Sequence, residues 1–352
     1  MEKQRKHLRL LAAVCTGTIV FAALTAVSAH AQQAGLLSRD AFAANEATGK
    51  LYLVDTAHDA VTIIAKDGSA KSVKVGSRPD AVAINHRSGM VYVVNPGSRN
   101  VTIIDGASDA VVTSVPTAAR PYAIAVDEDA NKAYVSNTFS NMLTVIDGAN
   151  NAASNLKTGS ADVVMVDRTR HRIYLMGYES DSLSELNPQD GSISKIPAGA
   201  MHLWGTASNG GTLYVSHVQD ASIAAIDPAT RTLHNIPTGR MPCAIALNPD
   251  RGEVYVANYA DNTVTVIKGD KPIATIRVAE HPQSLTIDAA KNLLYVSSPQ
   301  QNRVDVIDLH LHRSLRSVAV EGHPYAVGIH PETHVAYPVN LAGAPSTPLK
   351  SK

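Results

Sequence analysis

A tyrosine set among β-branched residues recurs eight times along this chain, as Tyr52, Tyr92, Tyr134, Tyr174, Tyr214, Tyr255, Tyr295 and Tyr337, at steps of 40, 42, 40, 40, 41, 40 and 42 residues. A period of this length constrains the fold before any local feature is read, because each repeat must be one supersecondary unit that buries its apolar faces against the next. The second unit shows the grammar: "RPDAVAIN", a turn "HRSG", "MVYVVN", a turn "PGSRN", "VTIIDG", and "AVVTSVP" after a further turn. That is four short strands in about 41 residues, with no helical periodicity. Four-stranded units at this spacing predict an all-β β-propeller of radially packed blades.

The details of the repeat agree. "MVYVV" is continuously apolar, as a strand covered on both faces requires, and the first strand is alanine-rich (Ala81, Ala83; Ala123, Ala125; Ala244, Ala246), as crowding near a central axis demands. Asp67-Gly68, Asp105-Gly106, Asp147-Gly148 and Asp190-Gly191 are expected to turn the third strand into the fourth. Asn95, Asn137, Asn258 and Asn340 follow the second strand and are expected to cap the next turn, while the eight tyrosines pack between blades with their hydroxyls reaching partners at the rim. Eight units predict eight blades, the last one completed by a strand from around Gln32 to Leu37 so that no sheet edge stays open. Pro338 sits within a strand of the last unit and speaks for the alternative of seven blades.

The phrases "YVVN", "VTIIDG" and "VPTAARPYAIAV" resemble the YVTN-repeat β-propellers, the group that includes the YncE-like periplasmic proteins, over essentially all of residues 32–352. The resemblance implies the fold. It leaves function open, since related propellers include surface-layer proteins, sugar lactonases and haem-holding domains.

The N-terminus carries Lys3, Arg5, Lys6 and Arg9, then the apolar stretch "LLAAVCTGTIVFAALTAV", then Ala29-His30-Ala31. This pattern predicts a signal peptide over residues 1–31, cleaved after Ala31, and a periplasmic or secreted propeller domain over 32–352. Val14 stands where lipidation of Cys15 would need a small residue. Cleavage would leave 27 basic against 30 acidic residues, a balance that speaks against a protein devoted to coating nucleic acid or anionic membrane. Cys243 would be the sole remaining cysteine, so a disulfide framework is excluded and a reduced, monomeric chain is expected.

Chemistry is expected where the units differ. The loops from fourth to first strand and from second to third strand lie on one face, around the channel mouth. The residue at the position before the loop proline reads Ser38, Arg78, Arg120, Ala161, Met201, Met241, His281 and His323 around the ring. Arg78 and Arg120, with Arg39 and Arg240, would hold a small anionic ligand through forked donors, or serve as rim cations paired with Asp40, Asp80 or Asp162. Met201, His202, Met241, Cys243, Glu280, His281, Glu321 and His323 fall in equivalent loops of four adjacent units and combine ligand types suited to copper or zinc. Cys243 aligns with Tyr122 and Tyr325, which gives it an alternative role as a small apolar filler. Trp204, in the place of an inner-strand alanine, would fill the channel or floor a ligand site.

There is no nucleophile elbow, phosphate-cradling glycine loop or haem-attachment motif. The leading expectation is therefore an exported binding or scaffold protein that recognises a small ligand, peptide or partner protein at the channel face. The alternatives are a lactonase-like, metal-assisted hydrolase using Glu280, His281, Glu321 and His323, and a single-stranded nucleic-acid binder using Arg78, Arg120, Tyr122, Phe139, Tyr259 and Tyr325.

Overall fold

The computed structural model describes residues 40–138, 140–159, 161–200, 202–209, 211–341 and 347–349. All of these belong to one compact unit, Ser38–Lys352. The expected signal peptide, Cys15, the strand expected from 32–37, and Ser38, Arg39, Phe139 and Met201 lie outside the described residues.

Among the described residues the strands form seven four-stranded antiparallel sheets, covering 42–74, 81–116, 121–157, 163–197, 203–237, 242–277 and 284–319 and numbered here as blades one to seven. In each, neighbouring strands follow chain order. In blade two Met90–Asn95 pairs with Asn100–Asp105 in register, Asn95 opposite Asn100. Among the described residues no helix is long and apolar enough to cross a membrane.

The expectation of eight four-stranded blades is corrected. Among the described residues the eighth unit forms a two-stranded sheet, Pro324–Ile329 with Ala336–Asn340. Its hairpin packs against the first two strands of blade seven on one side and of blade one on the other. The contact with blade one is tight: a Cβ on Gly328 would lie 2.7 Å from Leu53 Cδ2. Residues 341–349 read LAGAPSTPL where other units have a run such as "VTII", with two prolines and small residues in place of β-branched ones, a composition poor in strand formers. Pro338 lies opposite Val327 in the strand Ala336–Asn340, whose Ala336 carbonyl accepts the Leu349 N–H at 2.8 Å.

The core lies between blades. Tyr52, Val54, Val61 and Ile63 of blade one meet Val82, Ile84, Val91 and Val93 of blade two, and the pattern recurs around the ring. The marker tyrosines are packing residues, five of them at most 2% exposed. The hydroxyl of Tyr52 donates to the Gly106 carbonyl in the next blade at 3.2 Å, and that of Tyr255 to Glu253 Oε2 at 2.5 Å. The hydroxyls of Tyr134 and Tyr174 are buried without a hydrogen bond, so the rim-partner expectation holds for only part of the set.

The turn asparagines do more than cap. Asn137 Nδ2 donates to the carbonyls of Val135 and Met142 and to Thr144 Oγ1, tying the second strand to the third from a fully buried position. In blade five His217 takes this place, with Nε2 2.7 Å from the Ala198 carbonyl and Nδ1 3.2 Å from Ser222 Oγ, and burial lowers its pKa. The Asp-Gly turns divide into two kinds. Gly68 and Gly191 take positive φ, whereas in the 105–110 turn that conformation falls on Asp109, and Gly106 is needed because a Cβ there would come 2.5 Å from the Gly89 carbonyl oxygen.

The face opposite the mouth is fastened by polar links between blades. Lys50 Nζ reaches Asp109 Oδ1 at 2.7 Å and the Gly106 carbonyl at 2.9 Å, joining blades one and two. At the equivalent junction of blades six and seven the signs are exchanged: Glu253 receives Arg251, Tyr255 and His312.

Candidate functional site

The mouth is shaped by the backbone of the loops that enter each first strand. Arg78, Arg120, His202, Met241, His281 and His323 all adopt left-handed conformations, with φ between 53° and 63°. Such residues carry a steric cost of order 1 kcal/mol and persist only where the surroundings hold them. Here the holders are side chains of the second-to-third turn of the preceding blade: Asp59 Oδ1 accepts the Arg78 N–H at 2.7 Å, Asn262 Oδ1 that of His281 at 2.9 Å, and Asn302 Oδ1 that of His323 at 3.0 Å.

This geometry corrects the register read from spacing in blade five. The left-handed residue there is His202, one beyond Met201. Leu203 pairs with His217 as Pro121 pairs with Asn137 and Pro242 with Asn258, each beside a bulge in the ladder. Trp204 therefore stands level with Tyr122 and Cys243 and does not replace an inner-strand alanine. Two residues beyond the left-handed position the ring reads Asp80, Tyr122, Trp204, Cys243, Gln283 and Tyr325, and in blade four Asp162, whose N–H bonds to the second strand as that of Asp80 does, takes this place. The side chain at this position thus changes between units among carboxylate, aromatic, thiol and amide.

The arginines expected to grip an anion are exposed at the rim: Arg78, Arg120 and Arg240. Arg240 is already engaged, its Nε 2.6 Å from Asp261 Oδ1 and its backbone N–H bonded to the same carboxylate. Tyr122 and Trp204 are half-buried, and Tyr325 is buried at 4% exposure. Burial, with Asp80 nearby, pushes the Tyr325 hydroxyl well above its usual range.

The residues expected to ligate a metal are distributed. Met241 is half-buried, and the Cys243 thiol donates to the Pro282 carbonyl at 3.1 Å. His281 stacks on Tyr259, ring centroids 4.5 Å apart. Glu280 accepts from Gln301 Nε2 at 2.9 Å, His323 Nδ1 lies 3.1 Å from the Pro299 carbonyl, and Glu321 is exposed. Among the described residues no group of three or more His, Cys, Asp and Glu is placed to hold a metal ion.

Two features escaped the sequence reading. Tyr178 packs edge-on against both His202 and Trp204, at centroid distances of 5.3 and 5.6 Å. Asp162 Oδ2 accepts the Tyr178 N–H at 2.8 Å. A signal existed in "GYESD", which departs from the "NPGSRN" of the second unit at the second-to-third turn, but its partner Trp204 was placed one step out of register.

The chain is thus an all-β propeller with four-stranded blades and one chemically varied mouth. No family model matches it, and no curated protein matches it by sequence. Its fold is similar to that of Kuenenia stuttgartiensis hydrazine synthase, at 16% identity and TM-score 0.63, over 77% of this chain and 96% of that one. It is similar also to the dihydro-heme d1 dehydrogenase NirN, solved in complex with DHE, at 16% identity and TM-score 0.73, over 90% of this chain and 75% of that one. A streptogramin B lyase structure is similar at 13% identity and TM-score 0.59, over 70% of this chain and 86% of that one. At these identities the likeness is one of fold.

Proposed function

We propose that this propeller is an exported small-ligand-binding protein of the YVTN-repeat, YncE-like kind, acting in the cell envelope and receiving its ligand at the channel mouth. The carrying observation is that the side chain at this position varies between units among carboxylate, aromatic, thiol and amide: scaffold positions repeat, and this one does not. Half-buried aromatic groups beside a few polar ones are the usual lining of a small-molecule site. The signal-peptide pattern of residues 1–31 supports the location. Among the similar folds, NirN has been solved in complex with DHE, which supports a propeller of this shape as a holder of small molecules.

A thermal-shift screen with small carboxylates, phosphates, amines, sugars and Cu or Zn salts tests the proposal. A ligand present at 100 times its dissociation constant stabilises the folded state by about 2.7 kcal/mol, a shift of several degrees for a domain of this size. At least one solute class should produce such a shift, and Trp204→Ala or the pair Arg78→Ala and Arg120→Ala should abolish it. A shift that survives all these substitutions would place binding elsewhere on the molecule.

A further inference from the structure

One sector of the mouth has a polar group that the protein itself leaves unsatisfied. Asp162 enters the first strand of blade four, where its backbone N–H bonds to the Met176 carbonyl and its Oδ2 accepts from Tyr178 N–H. Its other carboxylate oxygen, Oδ1, is buried and has no hydrogen-bond partner, and among the described residues no lysine or arginine forms an ion pair with it. A buried oxygen of this kind is costly to leave unmatched. Burial raises the pKa of this carboxyl, the Tyr178 N–H and the nearby Thr138 hydroxyl oppose it, and Glu179 adds to it, although the Thr138 hydroxyl is not within hydrogen-bond geometry of Oδ1.

Joined to that carboxylate through Tyr178 is a corner of rings. Tyr178 stands at 87° to Trp204 and 66° to His202, and Trp204 is half-buried rather than fully enclosed. Aromatic faces attract positive charge, more strongly when water is displaced. Asp162 Oδ1 has no donor and the Trp204 ring faces no cation among the described residues, and one chemical group supplies both.

We infer that this corner, within the mouth proposed above as the ligand site, binds a protonated alkylamine. The ammonium donates to Asp162 Oδ1, and the methylenes next to it pack on the Trp204 and Tyr178 rings. The three requirements separate probes cleanly. n-Butylammonium satisfies all of them, tetramethylammonium offers charge without an N–H, and n-butanol offers a donor without charge. A neutral sugar would stack on the rings equally well but gains nothing from the carboxylate's charge.

Trp204 is the single tryptophan of the chain, so its emission reports on the corner without a label. Titration of the purified protein with n-butylammonium chloride at constant ionic strength should give a saturable emission change matched by calorimetric heat. Tetramethylammonium should bind at least tenfold more weakly, and n-butanol and glucose should not saturate. Asp162→Asn should cost at least tenfold in affinity with Trp204 emission retained, and Tyr178→Leu, which keeps the carboxylate, about threefold to tenfold. Equal binding of butanol and butylammonium, or wild-type affinity in Asp162→Asn, overturns the inference. Saturation by citrate that is lost in Arg78→Ala, with no response to butylammonium, would overturn the amine inference and leave the mouth as a ligand site. No response of emission or melting temperature to any solute would overturn both.

Discussion

A chain truncated after Glu321 should show no cooperative unfolding transition. The truncation removes the two-stranded sheet between blades seven and one, with Tyr325, Val327, Tyr337 and Val339, none more than 6% exposed. Fully burying side chains of this size contributes about 1.5–3 kcal/mol each, so about 6–12 kcal/mol for the four. That is comparable with the whole stability of a typical domain, about 5–15 kcal/mol. The truncation also uncovers Leu51 and Leu53 of blade one, against which Gly328 is pressed. Circular dichroism on heating reads the result. A truncated chain that melts cooperatively within a few degrees of the full one would mean that seven blades close without the hairpin.

The second large effect concerns acid stability at the junction of blades six and seven. Burial alone would raise the pKa of Glu253, whose side chain is 2% exposed, but hydrogen bonds from Arg251, Tyr255 and His312 outweigh it and bring the value down to about 2. A carboxyl with a depressed folded-state pKa contributes stability that is complete above its unfolded value, near 4.5, and is lost as pH falls toward 2. A difference of this size corresponds to about 3 kcal/mol. Denaturant melts at pH 7 and pH 2.5 should therefore show a wild-type loss larger by about 3 kcal/mol than that of Glu253→Gln, in which this group no longer titrates. The variant should be the less stable protein at pH 7, since Arg251 and His312 lose their shared anion. Equal losses in both proteins would show that this cluster contributes nothing pH-dependent to the fold.

How much of this was legible beforehand depended on whether a feature was local. Strands such as Met90–Asn95 and Asn100–Asp105 could be read off because alternating apolar residues and a polar turn encode them within a few residues. The blade count could not be read from the tyrosines, because each marks a second strand only. Tyr337 has its strand, yet nothing in it reports whether a third and fourth follow. The register of Trp204 was lost to the irregularity between Leu203 and Thr206, since a bulge absorbs a residue without changing the period of the repeat. The Asp162–Tyr178–Trp204 corner was hidden for a related reason. It joins residues 16 and 26 positions apart in sequence, across two blades, and only the ring geometry brings them together. The arginines and histidines are the charged and titratable residue types at the mouth, which makes them conspicuous in the sequence. The structure shows that their shared position is set by left-handed backbone held by Asp59, Asn262 and Asn302, whatever their side chains do.

The central claim, that the molecule works through the channel mouth, is tested most directly by hydrogen–deuterium exchange with and without the solute that gives the largest thermal shift. The account predicts slowed exchange at the mouth, in segments 176–181 and 202–206 above all, with segments 86–89 and 128–131 on the opposite face unchanged. Protection confined to the opposite face or to the outer strands, with 176–181 and 202–206 exchanging as in the free protein, would contradict it.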